Sequence, residues 1–243
     1  NKDINLDLKK IKITLNPSNF KVNIITLDAQ IIFNDKIINL KSLKTRISLL
    51  ELLKNQFSVD NLEIFSESIN VRNLVSLIRS LENEPKLLLL EMMIQEGYLK
   101  GSIDLNFDKE GNIKNNYRIN GFVKDLKLKK FQNNSLDKLS FVFNIVEKNY
   151  KFSKVNAQLN KIKLNSPFIT IENKNNSFLI NGKILNSEKD IPINGIERLV
   201  NNYFNNLNLK NLRFVSDNNF SFNVNKNFKI SNFNINSEIN LSK

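Results

Sequence analysis

Chemistry in this chain would have to rest on carboxylates, lysines, serines or tyrosines, because its 243 residues include no histidine and no cysteine. Histidine is the commonest general base and transition-metal ligand, and cysteine supplies thiolate nucleophiles, thiolate metal sites and disulfides. The stretch that most suggests a ligand site is "DKEGN", with Asp108 and Glu110 around Gly111. A calcium loop of the helix–loop–helix type needs oxygen ligands at alternate positions over about twelve residues, closed by a bidentate glutamate. After Asp108 the loop offers Glu110 and Asn112, then enters a strand pattern at Ile113 with no closing glutamate in place. Gly111 suits the positive φ of a tight turn, so the stretch reads as the bend of a hairpin.

Asp104 and Asp125 are the carboxylates a hydrolase could pair, but alternation puts both on an outward, polar face. "GNIKNNYRING" lacks the spacing of a phosphate-binding loop and leads into a strand rather than a helix. Asn133, Asn175 and Asn240 each begin an Asn-x-Ser glycosylation match, as chance provides in so Asn-rich a chain. The residue types therefore point to a protein that is not an enzyme, with no metal site and no cofactor.

The net charge of +12 and the pI near 9.7 raise the question of nucleic acid. The lysines are scattered singly or in pairs, as in "LKKIKI" and "VKDLKLKK", which is the pattern of a solvated strand face. A platform for single-stranded nucleic acid exposes aromatic residues beside basic ones. Here the aromatics alternate with Lys, Asn and Ser and so point away from them, and no nucleic-acid partner is expected. Hydrophobic residues make up 41% and charged residues 25%, the balance of a folded chain. Six Gly and four Pro leave little room for flexible linkers. The densest apolar run, "LLLLEMMI" from Leu87 to Ile94, holds a glutamate and is less than half the ~20 residues a membrane span requires.

The elements that would position any site are mostly strands. Ile4, Leu6 and Leu8 alternate, and the pattern restarts on the other parity with Ile11, Ile13 and Leu15, which places a bulge at Lys9-Lys10. Residues 20–33 and 36–48 read as two strands joined at Asn34-Asp35. The period then becomes helical: Leu49, Leu52, Leu53 and Phe57 behind a Ser48 cap, then Val71, Leu74, Val75, Ile78 and Leu81 on one stripe. Pro85 separates a second short helix that ends at Gly97. From Tyr98 the strands resume at roughly 98–108, 112–128, 136–147, 150–164, 167–173, 177–185, 207–216, 219–225 and 228–241. Their turns are "DKEGN", "EKNY", "ENKNN", "SDNN" and "NKN". The fold class is mainly β with a few short α-helices: a long antiparallel meander forming a curved, groove-like sheet with capping helices. Residues 1–243 read as one segment, with a helical insertion at about 70–96 and a short helix at about 195–206.

The apolar face of these strands carries the functional expectation. Ile103, Leu105 and Phe107 stand opposite Tyr117, Ile119 and Val123. Phe141, Phe143 and Ile145, then Val155, Ala157 and Leu159, Phe178 and Ile180, Phe220, Phe222 and Val224, and Phe228 and Ile230 continue one greasy side, with Asn, Lys and Ser on the other. Such a face must be covered. Either a second layer of sheet closes over it, giving a structural or adhesive sandwich or solenoid, or the sheet stays open and holds an apolar ligand.

One stretch carries more than a pattern. Leu40 to Leu81, "LKSLKTRISLLELLKNQFSVDNLEIFSESINVRNLVSLIRSL", runs strand, amphipathic helix, "FSVDNLEI" strand, helix. It resembles the repeating element of the AsmA-like family, the TamB- and YhdP-type bridge-like lipid-transfer proteins. In that family an apolar helix precedes a phrase matched here by Phe57, Val59, Leu62 and Ile64. Gly97 to Leu128 resembles the family's glycine-spaced strand, hairpin and following strand. The resemblance implies a segment of a larger bacterial envelope protein on the periplasmic side of the inner membrane. Its partners would be phospholipid acyl chains, sheltered in an apolar β-groove, and the membrane through segments this sequence lacks. The lipid-contacting candidates are Ile103, Leu105, Phe107, Tyr117, Ile119, Val123, Phe141, Phe143, Ile145, Phe178, Ile180, Phe220, Phe222 and Val224. Oligomeric state is not specified.

Overall fold

A computed structural model describes residues 4–33, 36–82, 84–131, 134–174, 177–186, 190–192, 211–227 and 229–241. They form sixteen strands and three short helices. Every recorded pairing between strands is antiparallel, and the sheet is an open meander, as the alternation implies. The chain divides into two compact units, residues 1–123 with 143–147, and residues 124–142 with 148–243.

The first unit begins with a long bent hairpin. β1 (Ile4–Asp7) pairs with β4 (Gln30–Phe33), and β2 (Lys10–Asn16) pairs with β3 (Lys21–Leu27). The expected bulge at Lys9-Lys10 takes the form of a break between two strands, and the single strand expected over 20–33 breaks at Asp28-Ala29, where Asp28 has φ 57°. β5 (Lys36–Ser48) pairs with both β3 and β4, and β6 (Val59–Ser66) follows on its other side. At Leu40/Ser42 the ladder with β6 slips by one residue, so Lys41 is extra. That slip puts Leu40 on the same face as Leu43.

The core of this unit lies under the helices. Ala29, Phe33, Ile38, Leu40, Ile69 and Leu77 are buried together, with Ile31, Leu43, Ile64 and Leu74 packed against them. Ile69 belongs to β7 (Ile69–Asn70), and Leu74 and Leu77 to α2 (Val71–Leu81). The Asn70 side chain caps α2 by accepting from the Asn73 N–H at 3.2 Å. α3 (Pro85–Met93) starts with proline at its first position, which removes one of the amides a helix start leaves unpaired. It passes straight into β8 (Ile94–Asn106) without the expected stop at Gly97, and Ile94 is almost fully buried.

The helical stripes are less buried than their periodicity implies. α1 (Leu49–Leu53) is one short turn, capped by the Ser48 hydroxyl accepting from Glu51 N–H, and Leu53 is 82% exposed. Ile78 and Leu81 of α2 are also exposed, while Ser76 and Leu77 are buried. A five-residue helix has too few turns to present a stripe, whereas on α2 Val71 and Val75 are buried and Leu74 packs on the core as their spacing implies, and only the end of the stripe is exposed.

"DKEGN" is a turn. Gly111 has φ 86°, and the Asp108 carboxylate accepts from the backbone N–H of Asn112 at 2.8 Å and of Glu110 at 3.1 Å. Those bonds, led by the Asn112 amide, hold Asp108 below the ordinary carboxylate range. β9 (Arg118–Phe131) starts later than the alternation from residue 112 implies.

In the second unit β10 (Asn134–Val146) and β11 (Asn149–Leu159) are joined by Glu147-Lys148, with φ of 50° and 65°. β11 and β12 (Ile162–Lys174) are joined by Asn160-Lys161, with φ of 50° and 72°. Both are two-residue turns with two left-handed residues, whose twist matches the flanking strands. The strand expected over 150–164 is therefore two strands. β13 (Ser177–Asn186), β14 (Asp190–Pro192), β15 (Asn211–Asn225) and β16 (Ile230–Leu241) complete the unit. "SDNN" (216–219), expected as a turn, continues β15. Two of its polar side chains reach across strands: Asn218 donates to the Ile184 carbonyl at 3.1 Å, and Asp217 pairs with Lys183 at 2.7 Å. The helix expected at 195–206 and Phe228 lie outside the described residues.

Candidate functional site

The site is a surface built of rows of side chains that cross neighbouring strands. Residues directly opposite in an antiparallel pair point to the same side. In the first unit one row runs Ile11, Thr26, Leu43, Ile64, Ile103, and the next Ile13, Ile24, Thr45, Leu62, Leu105. The alternate rows are polar: Lys12, Ile25, Lys44, Glu63, Asp104, then Thr14, Asn23, Arg46, Asn61, Asn106. Asp104 thus sits on the polar side, where Asn61 donates to it at 2.7 Å. Asp125 is exposed, and its backbone N–H donates to the Ser140 hydroxyl at 3.0 Å.

Ile103, Leu105, Phe107, Tyr117, Ile119 and Ile145 are half-buried, whereas Val123 and Phe143 are buried at 6% and 8% exposure. Phe107 packs on Phe57 with ring centroids 5.5 Å apart. The Phe143 ring lies over the bare backbone of Gly101 and Gly121, where a Cβ on Gly121 would collide with it. A glycine inside a strand marks such a close approach.

In the second unit the rows run Tyr150, Ile171, Ile180, Phe222 and Phe152, Ile169, Gly182, Phe220, Ile235. Phe178 pairs with Val224. Phe220 stacks on Phe222 at 5.9 Å, Phe222 reaches Phe233 at 6.1 Å, and Phe141 meets Phe152 edge-on at 5.4 Å. Phe141, Phe178, Ile180, Phe220, Phe222 and Val224 are all half-buried. Ile162 is the sole hydrophobic side chain of this unit that is buried among the described residues.

Sequence reasoning missed one polar cluster. Lys36 donates to the Ser76 hydroxyl, and Arg79 pairs with Glu91 at 2.7 Å. Burial alone would raise the Glu91 carboxyl and is the largest single influence on it. The hydrogen bonds from Arg79 and Ser76, with the charges of Arg79 and Lys36, outweigh it and hold Glu91 below its ordinary range. Ser76 is only 2% exposed, so the cluster is a clasp between β5, α2 and α3 with no room for a substrate at the hydroxyl. Among the described residues no group of acidic side chains is placed to hold a metal ion, and no helix is long and apolar enough to cross a membrane. No family model, curated protein or solved structure matches the chain.

Proposed function

We propose that this protein shelters phospholipid acyl chains on the apolar face of its sheet. The observation that carries the reading is the second unit: its Phe and Ile rows form one face, and among the described residues no second sheet layer within the unit covers them. An alkyl tail laid along such rows gains about 0.8 kcal/mol per CH₂ removed from water, without any specific hydrogen bond. Headgroups would stay at the rim, where Lys and Asn alternate with the apolar residues. The likeness of Leu40–Leu81 and Gly97–Leu128 to the AsmA-like repeat supports the same reading and extends it. On that likeness the protein belongs to the bacterial envelope, on the periplasmic side of the inner membrane, and carries lipid between inner and outer membranes. An open face suffices for this, and a closed groove is not required.

The test is lipid extraction of the purified protein with mass spectrometry, alongside titration with a fluorescent fatty acid. Phospholipid should co-purify and the probe should bind. Phe222→Asp should cut probe binding about tenfold or more while far-UV circular dichroism stays unchanged, since this ring is half-buried on the face. Phe143→Asp should instead impair folding, because its ring packs on Gly101 and Gly121. Repeated extracts without lipid, together with no probe uptake, would overturn the reading.

A further inference from the structure

β16 is bonded along one side only: among the described residues its sole strand partner is β15. A strand in that position offers a row of N–H and C=O groups to another strand, and proteins guard such edges with lysine, proline or bulges. β2, which among the described residues pairs only with β3, is guarded in this way by Lys10 and Lys12 and by Pro17 just beyond it. β16 contains no lysine, arginine or proline, and Glu238 is its one charge in a chain of net charge +12. Phe233, Ile235 and Ile239 are 61%, 53% and 55% exposed along one side, with Asn234, Asn236 and Asn240 at the alternate positions. Asn232, at φ 52°, sits in the register shift between Ser221 and Asn223. The regular part of the strand is therefore Phe233 to Leu241, and its centre is Ser237.

From this edge we infer a homodimer in which two copies of the chain join β16 to β16, antiparallel, about a two-fold axis at Ser237. The free backbone groups call for an extended strand, and β16 matches itself in that register. Ile235 faces Ile239, Asn234 faces Asn240, and Asn236 faces Glu238. Apolar meets apolar, amide meets amide, and the two glutamates do not oppose each other, which avoids a destabilising like-charge pair. A self-complementary edge of this kind is consumed on pairing and closes at two copies. Pairing β16 with β2 would bring in Lys10 and Lys12 and would propagate without closing. The inference stands apart from the lipid reading.

Sedimentation equilibrium over a wide concentration range tests it. The full chain should fit a monomer–dimer equilibrium of the 28.2 kDa protomer. Ile235→Lys with Ile239→Lys should weaken dimerisation about a hundredfold, as like charges replace facing apolar pairs. Both side chains are already exposed in the protomer, so the variant should keep its circular dichroism spectrum. Ser237→Cys should give a disulfide-linked dimer on mild oxidation, whereas Thr14→Cys on the guarded edge should not. A monomer at every concentration, assembly beyond the dimer, or equal cross-linking at Thr14→Cys and Ser237→Cys would each overturn it.

Discussion

Glu91 decides how firmly the helix pair is held, and its behaviour with pH follows from its neighbours. Its carboxyl lies below the ordinary 4.5 because Arg79, Ser76 and Lys36 favour the charged form more than burial opposes it. A carboxylate whose folded pKa is depressed contributes stability that is present above the unfolded value and lost as pH falls through the folded one. Glu91→Gln should therefore lower unfolding free energy at neutral pH by about 1.5–3 kcal/mol, the range for a hydrogen bond to a charged group. The deficit should shrink as pH drops below ~4.5, where wild-type Glu91 protonates as well. Urea titrations at a series of pH values check this, and a deficit constant with pH would contradict it. Nothing in the periodicity of "NVRNLVSLIRSLENE" announces the clasp, because it depends on Lys36, which sits 40 positions before Ser76. The turn itself was easier to read, from Gly111, and the Asp108 side chain three residues before that glycine closes it.

At the scale of elements, the first unit keeps its apolar face in register through a shared irregularity. Leu6 and Ile11 face the same way as Ile31 and Thr26, although their spacing is odd. Between Thr26 and Ala29, and between Leu40 and Leu43, the apolar spacing is odd again. The breaks lie side by side: Asp28 N–H donates to the Lys41 carbonyl at 3.2 Å, and Leu40 N–H to the Ala29 carbonyl at 2.8 Å. Each strand carries one extra residue on this line, and β6, which carries none, meets it as the slip at Leu40/Ser42. Deleting Asp28 or Lys41 alone would leave one strand regular beside an irregular neighbour. Each single deletion should cost roughly 2–3 kcal/mol. The double deletion should cost clearly less than the sum, because the regular alternation of both strands is then restored together. Equilibrium unfolding of the three variants measures this coupling, and simple additivity would mean that the irregularities are independent. The Lys9-Lys10 parity change was legible in the sequence as a bulge. The hairpin at Glu147-Lys148 was legible as the turn "EKNY", whereas the one at Asn160-Lys161 was not, since it lacks the glycine that usually marks two left-handed residues. "SDNN" misled in the opposite sense, because cross-strand partners outweighed its turn-like composition.

For the molecule as a whole, the governing quantity is how little apolar surface is covered. The chain exposes 16597 Å², against ~11,000 Å² for a compact monomer of this mass. Twelve hydrophobic side chains are buried among the described residues, and eleven of them belong to the first unit. Strand alternation made the apolar face legible, but it could not say what would cover that face, since coverage is set by layers rather than by period. The consequence is a thermodynamic one. The surface newly exposed on unfolding sets the denaturant m-value and the heat-capacity change. Taking ~41,000 Å² for the unfolded chain, the area exposed falls about a fifth below that of a compact protein of equal length. The delipidated protein should accordingly show urea m-values and ΔCp about 20% below the length-based expectation. Adding a phospholipid that covers the face should raise the thermal midpoint with lipid concentration, because the ligand binds the folded state. Differential scanning calorimetry of delipidated and lipid-loaded protein separates the two cases. A ΔCp of unfolding at the full length-based value in the delipidated protein would mean that the Phe and Ile rows are covered by protein in solution, which would leave no face for a lipid.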